Sequence, residues 1–435
     1  MLYFLDDYRG RSVSSVAFVL CTTFCVFTYA LGDTTSQQSI STPGQPTIEL
    51  LEQIPPAAEP GVINEQSEPE IEIVEVEIIE VEEVEEVVDT IQPTGSECRE
   101  DRILSLLQSE HRLGFGRKTT GGAKASKITT VTSFADSGPG TLREAIDSGG
   151  PRWIIFDESI YGGTIFLDSP LRVPADITID GRGIGTMSGV TLSPTEDNTH
   201  LMLLFNGNVI VHGITIDGDN TGATAVMLRQ GDNYWFDHVT TTGFATDDAF
   251  SMGQGSAGEK STSEVTISNY RVYDTSKGLM SGSGIEQFDT YRGNRITVFN
   301  SYLAANERNP LISTKNLAHL FNNHIIPARS TGVDVRFATR AIVENNVISG
   351  EFTKDAKSTL IARSLSGYDI PTGHIFSINN VLKDGAGSSG SINPTSVEPF
   401  EIPYNYSLVD TNLVEEHVLA NAGADNASFD LTVCN

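Results

Sequence analysis

Cysteine is scarce: four residues in 435, at Cys21, Cys25, Cys98 and Cys434. The first two sit in an apolar N-terminal stretch, so a cysteine-dense scaffold is excluded. Cys98 and Cys434 flank the remainder and either pair across it in an oxidising compartment or stay as two thiols; spacing does not supply the geometry that would decide. Positive charge is also short, with 28 Lys and Arg against 57 Asp and Glu and a net charge of −29. That excludes an electrostatic footprint for nucleic acid. An anionic polymer could be met only at a local basic groove or through bridging metal ions. Apart from His238, which stands beside Asp237, the histidines are scattered without ligand spacing, so no zinc site is expected. Long apolar runs are missing too. Val13–Ala30 is mostly apolar but short for a membrane span.

Arg9 and Arg11 precede that apolar stretch and Thr28-Tyr29-Ala30 follows the small-residue pattern of a cleavage site, so residues 1–30 read as a signal peptide. A secreted or cell-surface protein with no stable membrane insertion is expected; an uncleaved anchor is the rival. Residues 31–97 begin rich in Thr, Ser, Gln and Pro and end in alternating Glu and Val or Ile. Ten Glu and one Asp fall in 68–89 with no Lys or Arg. Such a segment repels itself and reads as an acidic linker. The folded part is expected over 98–435. Arg99–Arg112 has apolar residues at Ile103, Leu106 and Leu107, the mark of a short amphipathic helix. Thr141 with Glu144 makes a capping box that opens a second helix, TLREAI. Helices placed ahead of a run of strands suit the capping of a solenoid end.

Seven segments then align: NVIVHGITIDG, NYWFDHVTTTG, EVTISNYRVYD, RITVFNSYLAA, LAHLFNNHIIP, RAIVENNVISG and HIFSINNVLKD. They are short, β-branched and alternating, which argues against helical repeats and for coils of a β-solenoid. The alignment places His212, Asp237, Asn269, Asn300, Asn322, Asn345 and Asn379 in one column. Stacked Asn can satisfy its amide on the neighbouring coil, so the column reads as fold stabilisation.

GFGRKTTGG, SGPGTLREAI, WIIFD, ITIDGRG, YWFDH, EVTISNYRV, SKGL and RNP, in that order over about residues 114–350, resemble the pectate lyase superfamily, and the first family of polysaccharide lyases in particular. The resemblance implies an all-β fold, a right-handed single-stranded parallel β-helix with short capping helices. It implies β-elimination on pectate or a related uronide, an acidic polysaccharide partner, and a monomer. Arg308 matches the family's base and Lys277 its groove lysine, so both are expected to be catalytic and, with Lys315, to bind substrate. Departures are visible. A second Arg of the family's pattern is Ser313 here, with Lys315 two residues on. Two expected Ca²⁺-binding Asp are Gly222 and Thr224, and a third is Ser251. Asp247 is expected as the surviving ligand. Asp248 could help only from a turn, since neighbours on a strand face opposite ways, and Asp217 and Asp219 stand as substitutes. A hard cation wants six to eight oxygens, so a weak or substrate-dependent Ca²⁺ site is expected. Asp237 beside His238 could pair as a general base, but the resemblance puts this cluster in a structural role.

Two rivals share the scaffold. A glycoside hydrolase would use a carboxyl pair such as Asp247 and Asp248. A non-catalytic carbohydrate-binding or adhesive β-helix would fit the degraded Ca²⁺ positions.

Overall fold

The computed structural model describes residues 97–430, apart from 185–187, 197–199, 254–262, 283, 286–287, 328, 330, 350–358 and 365–366. The segments read as a signal peptide and, up to residue 96, as an acidic linker fall outside these residues, as does Cys434. So does the side chain of Cys98, and with it the question of a disulfide.

Short β-branched runs separated by turn residues cannot bury an apolar face by local pairing; each has to lie against its equivalent in the next repeat. The chain does this nine times. Three parallel sheets result, of ten, nine and nine strands. One coil shows the pattern: Asp232–Asp237 joins the first sheet, Thr240–Phe244 the second and Asp248–Met252 the third. The next coil repeats it with Ser263–Ser268, Arg271–Val272 and Lys277–Ser281. Inward residues stack coil on coil, as Val211, Phe236, Ile267, Val298, Leu320 and Val343 do on the first sheet. They belong to one continuous buried cluster from Val131 to Ile375. Each fully buried Val, Ile, Leu or Phe contributes about 1.5–3 kcal/mol. All-β architecture and a parallel β-helix with few helices are therefore as expected.

The two foreseen helices are present as Glu97–Leu107 and Leu142–Asp147. Thr141 accepts from the Glu144 amide, and Glu144 accepts from the Gly140 amide. A third, Val414–Asn421, was not foreseen.

The polar column needs a correction of one residue in its first two members. Strand register aligns Asp180, His212, Asp237, Ser268, Phe299, Phe321 and Glu344 at the ends of the first-sheet strands. Asn269, Asn300, Asn322, Asn345 and Asn379 stand one position later, all with left-handed φ of 47° to 54°. Their equivalents in earlier coils are Gly213 and His238, also left-handed. Asn serves there because its short polar side chain tolerates this conformation. Coil-to-coil side-chain bonds occur in this column, Asn345 to Asn322 at 2.8 Å and Asn269 to Asp237 of the coil before at 2.9 Å. A second ladder runs one residue further on, linking Ser301, Asn323, Asn346 and Asn380 coil by coil. Asn322 and Asn345 also hold the C-terminal segment through the backbones of Ser407 and Val409.

The outward face of the first sheet is covered. The glycine-rich GFGRKTTGG crosses it, with the amides of Phe115, Gly116 and Gly122 bonded to Thr297, Thr266 and Thr178 hydroxyls. A β-carbon on Gly122 would lie 1.6 Å from the Arg152 carbonyl, so only glycine fits this approach. Asp180 anchors the N-terminal helix: its carboxylate takes Arg102 and Arg182 at 2.8 Å and the Trp153 indole at 3.1 Å.

Candidate active site

The third sheet carries the charges singled out from the sequence. Asp248 opens Asp248–Met252 and Lys277 opens the neighbouring strand; the two are register partners. Glu307 bridges to Lys277 on the next coil. The amides of Gly278 and Leu279 donate to the carbonyls of Glu307 and Arg308, both at 2.8 Å. Asp248, Lys277 and Arg308 thus meet at the heads of three consecutive strands, though 29 and 31 residues apart in sequence. Gly278 makes room for this: a β-carbon there would lie 2.8 Å from the Arg308 carbonyl oxygen.

Arg308 has a left-handed φ of 61° and precedes Asn309, whose side chain clamps the turn through both backbone groups of Ala305. Its Nη1 donates to both Asp248 oxygens, at 2.8 and 2.9 Å. The guanidinium side chain is 25% exposed and the carboxylate 3%. Burial pushes the Asp248 carboxyl above its ordinary value, and Arg308 only partly offsets it.

The carboxylates take roles opposite to those expected. Asp248 is the strand residue and Asp247 lies in the turn before it. Counting along the sequence misjudged where the strand begins. Asp247 accepts from the Thr224 hydroxyl at 3.0 Å and from the Asp248 amide at 2.9 Å. Thr224, an expected carboxylate position, therefore orients Asp247 in place of adding an oxygen charge. Asp217 and Asp219 lie on Thr215–Thr221 in the second sheet, where the Asp217 carboxylate accepts from the Asp219 amide. Among the described residues, none of these four carboxylates shares a cluster of three metal-ligating side chains. With Asp248 committed to Arg308, the donor set does not make a resident Ca²⁺ cage.

Lys315 follows Leu311–Ile312, at the other end of the third sheet from Arg308. Its ammonium donates to the Phe288 carbonyl and sits 4.4 Å from that ring's centre. The charges that sequence reading missed are Arg336 and Arg363. They are register partners on the third sheet and share the buried Asp334 carboxylate. Asp334 aligns with Leu311, just past Arg308. Arg336 and Arg363 are 23% and 42% exposed; both close their strands, level with Ser313 and not with Arg308, so they place cations on two further coils at the opposite strand ends. Only the register reveals them, because the connections between coils vary in length. A separate pocket, lined by Arg117, Lys118, Asp232, Glu264 and Arg295, lies at the heads of first-sheet strands and holds none of the expected residues.

Stacked coils of three parallel sheets define a single-stranded parallel β-helix. The pectate lyase family matches residues 114–427, and the chain belongs to that family. A probable pectate lyase 6 of Arabidopsis thaliana is 33% identical over 194 residues, 39% of this chain and 39% of the relative. Pectate lyase B of Colletotrichum gloeosporioides is 25% identical over 321 residues, 72% and 85% of the two chains. The match spans about two-fifths of the length of the plant relatives, 39% and 43% for the Arabidopsis and Lilium longiflorum proteins. Among solved structures, the cedar pollen allergen jun a 1 superposes with a TM-score of 0.52 at 20% identity, over 75% of this chain and 98% of that one. A Bacillus pectate lyase in complex with trigalacturonate gives 0.50 at 17%, over 72% and 98%. These superpositions show the fold.

Proposed function

We propose that the chain is a polysaccharide lyase that cleaves a polyuronide by β-elimination, with Arg308 and Lys277 acting at the edge of the third sheet. One observation carries this reading: two cations distant in sequence come together at the heads of neighbouring strands, beside a buried carboxylate. Arg308 takes the C5 proton next to a uronate carboxylate. The C5–H electrons form the C4–C5 double bond, and the glycosidic oxygen leaves from C4 and is protonated by solvent. Lys277 faces the charge that develops on the uronate carboxylate. Arg336 and Arg363 direct their Nε–Nη2 forks to Asp334, which leaves their Nη1 groups to meet carboxylates of neighbouring sugars. A guanidinium bonded to a carboxylate has no lone pair to give, so substrate entry has to part Arg308 from Asp248. Ca²⁺, when bound, would neutralise uronate charge. Asp247 is the residue to hold it, and the substrate's own carboxylates would have to complete the shell. Secretion rests on the N-terminal sequence pattern, and a pectate-type substrate on family membership and on the trigalacturonate held by the Bacillus relative.

The pairing of Arg308 with Asp248 favours a second reading, a β-helix that binds uronide without cutting it. Incubation with polygalacturonate, methylated pectin and alginate separates the two. A lyase releases an unsaturated uronide seen by ultraviolet absorbance. Binding with no product supports the second reading, and reducing ends without unsaturation indicate hydrolysis.

A further inference from the structure

The column at the ends of the first-sheet strands gathers three metal-ligating side chains that the sequence leaves apart. His212 Nδ1 and His238 Nδ1 each lie 3.0 Å from the same oxygen, Oδ2 of Asp237. Among the described residues this is the group of His, Cys, Asp or Glu whose ligand atoms fall within 4.8 Å of one another. All three residues are buried, with side-chain exposures of 6%, 11% and 1% for His212, His238 and Asp237. The carboxylate oxygen faces both imidazole nitrogens at ion-pair distance yet is poorly aligned for a hydrogen bond to either, and buried polar groups so placed call for an explanation.

The other side of the carboxylate is fully engaged. Asp237 Oδ1 accepts from the Ser268 hydroxyl at 2.6 Å and the Asn269 amide at 2.9 Å, and the Trp235 indole holds Ser268 in turn. Outer partners that fix a carboxylate and turn its second oxygen toward imidazole nitrogens are the usual support of a metal centre. Ligands about 2.0–2.1 Å from a tetrahedral zinc ion stand roughly 3.3 Å apart, close to the 3.0 Å between each imidazole nitrogen and the carboxylate oxygen. A two-imidazole, one-carboxylate set suits zinc-class ions and not Ca²⁺, which wants many oxygens. His111, with its ring centre 5.6 Å from that of His238, stands beside the group.

We propose that His212, Asp237 and His238 form a binding site for a divalent transition ion of the zinc class, separate from the charged edge of the third sheet. It would fasten two successive coil ends: His212 and Asp237 on adjacent first-sheet strands, with His238 in the turn that follows Asp237.

The fold supplies a safe variant for the test. His238 occupies the left-handed position that other coils fill with Asn, so His238→Asn should fold. The full chain is stripped with chelator, dialysed, and titrated with Zn²⁺ by calorimetry and with Co²⁺ by visible absorption. The expected result is one ion per chain, a melting temperature that rises with Zn²⁺, and loss of both in His238→Asn and in His212→Gln, with circular dichroism unchanged. If the parent chain binds no more Zn²⁺ than His238→Asn and melts alike with ion or chelator, the three side chains are only a packing cluster and the proposal fails. Uronide cleavage is scored separately, so this result does not depend on the lyase reading.

Discussion

Replacing Arg308 with alanine tests chemistry and electrostatics together. The Asp248 carboxylate is 3% exposed, and its two oxygens are both bonded to one nitrogen of Arg308. Without that partner, a buried carboxylate is left to burial alone. Fully buried pairs cost about 3–5 kcal/mol to break in this way. Arg308 is a quarter exposed, so water reaches the vacated space and about 1–3 kcal/mol is the better expectation. The loss has a pH signature. Burial already lifts the folded Asp248 carboxyl above its ordinary value, and losing Arg308 lifts it further. A carboxyl raised on folding weakens the fold as pH climbs from its unfolded value of about 3.9 toward the folded one. The deficit of Arg308→Ala should therefore be full near neutrality, shrink as pH falls through the raised folded values, and be gone below about 4. Thermal unfolding across pH reads this out. Adding Asp248→Asn should recover part of the stability without activity, because it removes the stranded charge but not the need for a base. Elimination by either variant should fall by roughly 10²–10⁴-fold or more, the usual worth of a positioned base. Parent-rate turnover by Arg308→Ala, or a deficit flat from acid to neutral pH, would refute the reasoning.

Two other substitutions probe how the scaffold supports the site. Burial pushes Asp180 up, but Arg102 and Arg182 outweigh it and hold the carboxyl well below the ordinary range. A carboxyl depressed on folding stabilises above its unfolded value and loses that stabilisation as pH falls. Asp180→Asn should cost about 3–5 kcal/mol at neutral pH by stranding two buried guanidiniums, and the gap to the parent chain should close in strong acid, as followed by circular dichroism. Gly278→Ala places a β-carbon 2.8 Å from the Arg308 carbonyl. It should cost about 1–3 kcal/mol and lower kcat beyond what the lost stability explains; unchanged kcat would show that the Arg308 turn tolerates the shift.

Much of the scaffold was legible because a solenoid repeats its instructions. Alternating β-branched runs, each closed by a polar turn, specify a coil, and seven of them in line specify a stack. What was misread is instructive in its size: one residue. Alternation has a period of two, so an error of one residue exchanges faces. Placing His212 and Asp237 in the Asn column put strand residues into a turn position. Taking Asp247 for the strand residue hid the fact that Asp248 is the one opposite Lys277. The pairing of Arg308 with Asp248 was not foreseen, nor was the sharing of Asp334 by Arg336 and Arg363. Both join residues across connections of irregular length, and sequence spacing does not fix register there. The same difficulty made the histidines other than His238 look scattered. His212 and His238 are 26 residues apart in sequence, yet one coil of the stack brings both to the same carboxylate oxygen.

The three outward faces are therefore not equivalent, and this bears on how the family's chemistry survives in a chain that has lost expected carboxylates. The first sheet is covered by the glycine-rich strap, the N-terminal helix and the C-terminal segment. Its polar groups are spent on Asp180, on the His319–Glu344–Tyr406 chain at 2.7 Å, and on the threonine hydroxyls that anchor the strap. The third sheet keeps half-exposed cations, each steadied by a buried acid: Arg308 by Asp248, Arg336 and Arg363 by Asp334. A buried acid under an exposed guanidinium fixes its position while lowering the net positive charge of the edge. On the proposed lyase reading, uronate charge would be met by these cations directly, since Gly222 and Thr224 offer no carboxylate to hold a bridging metal there.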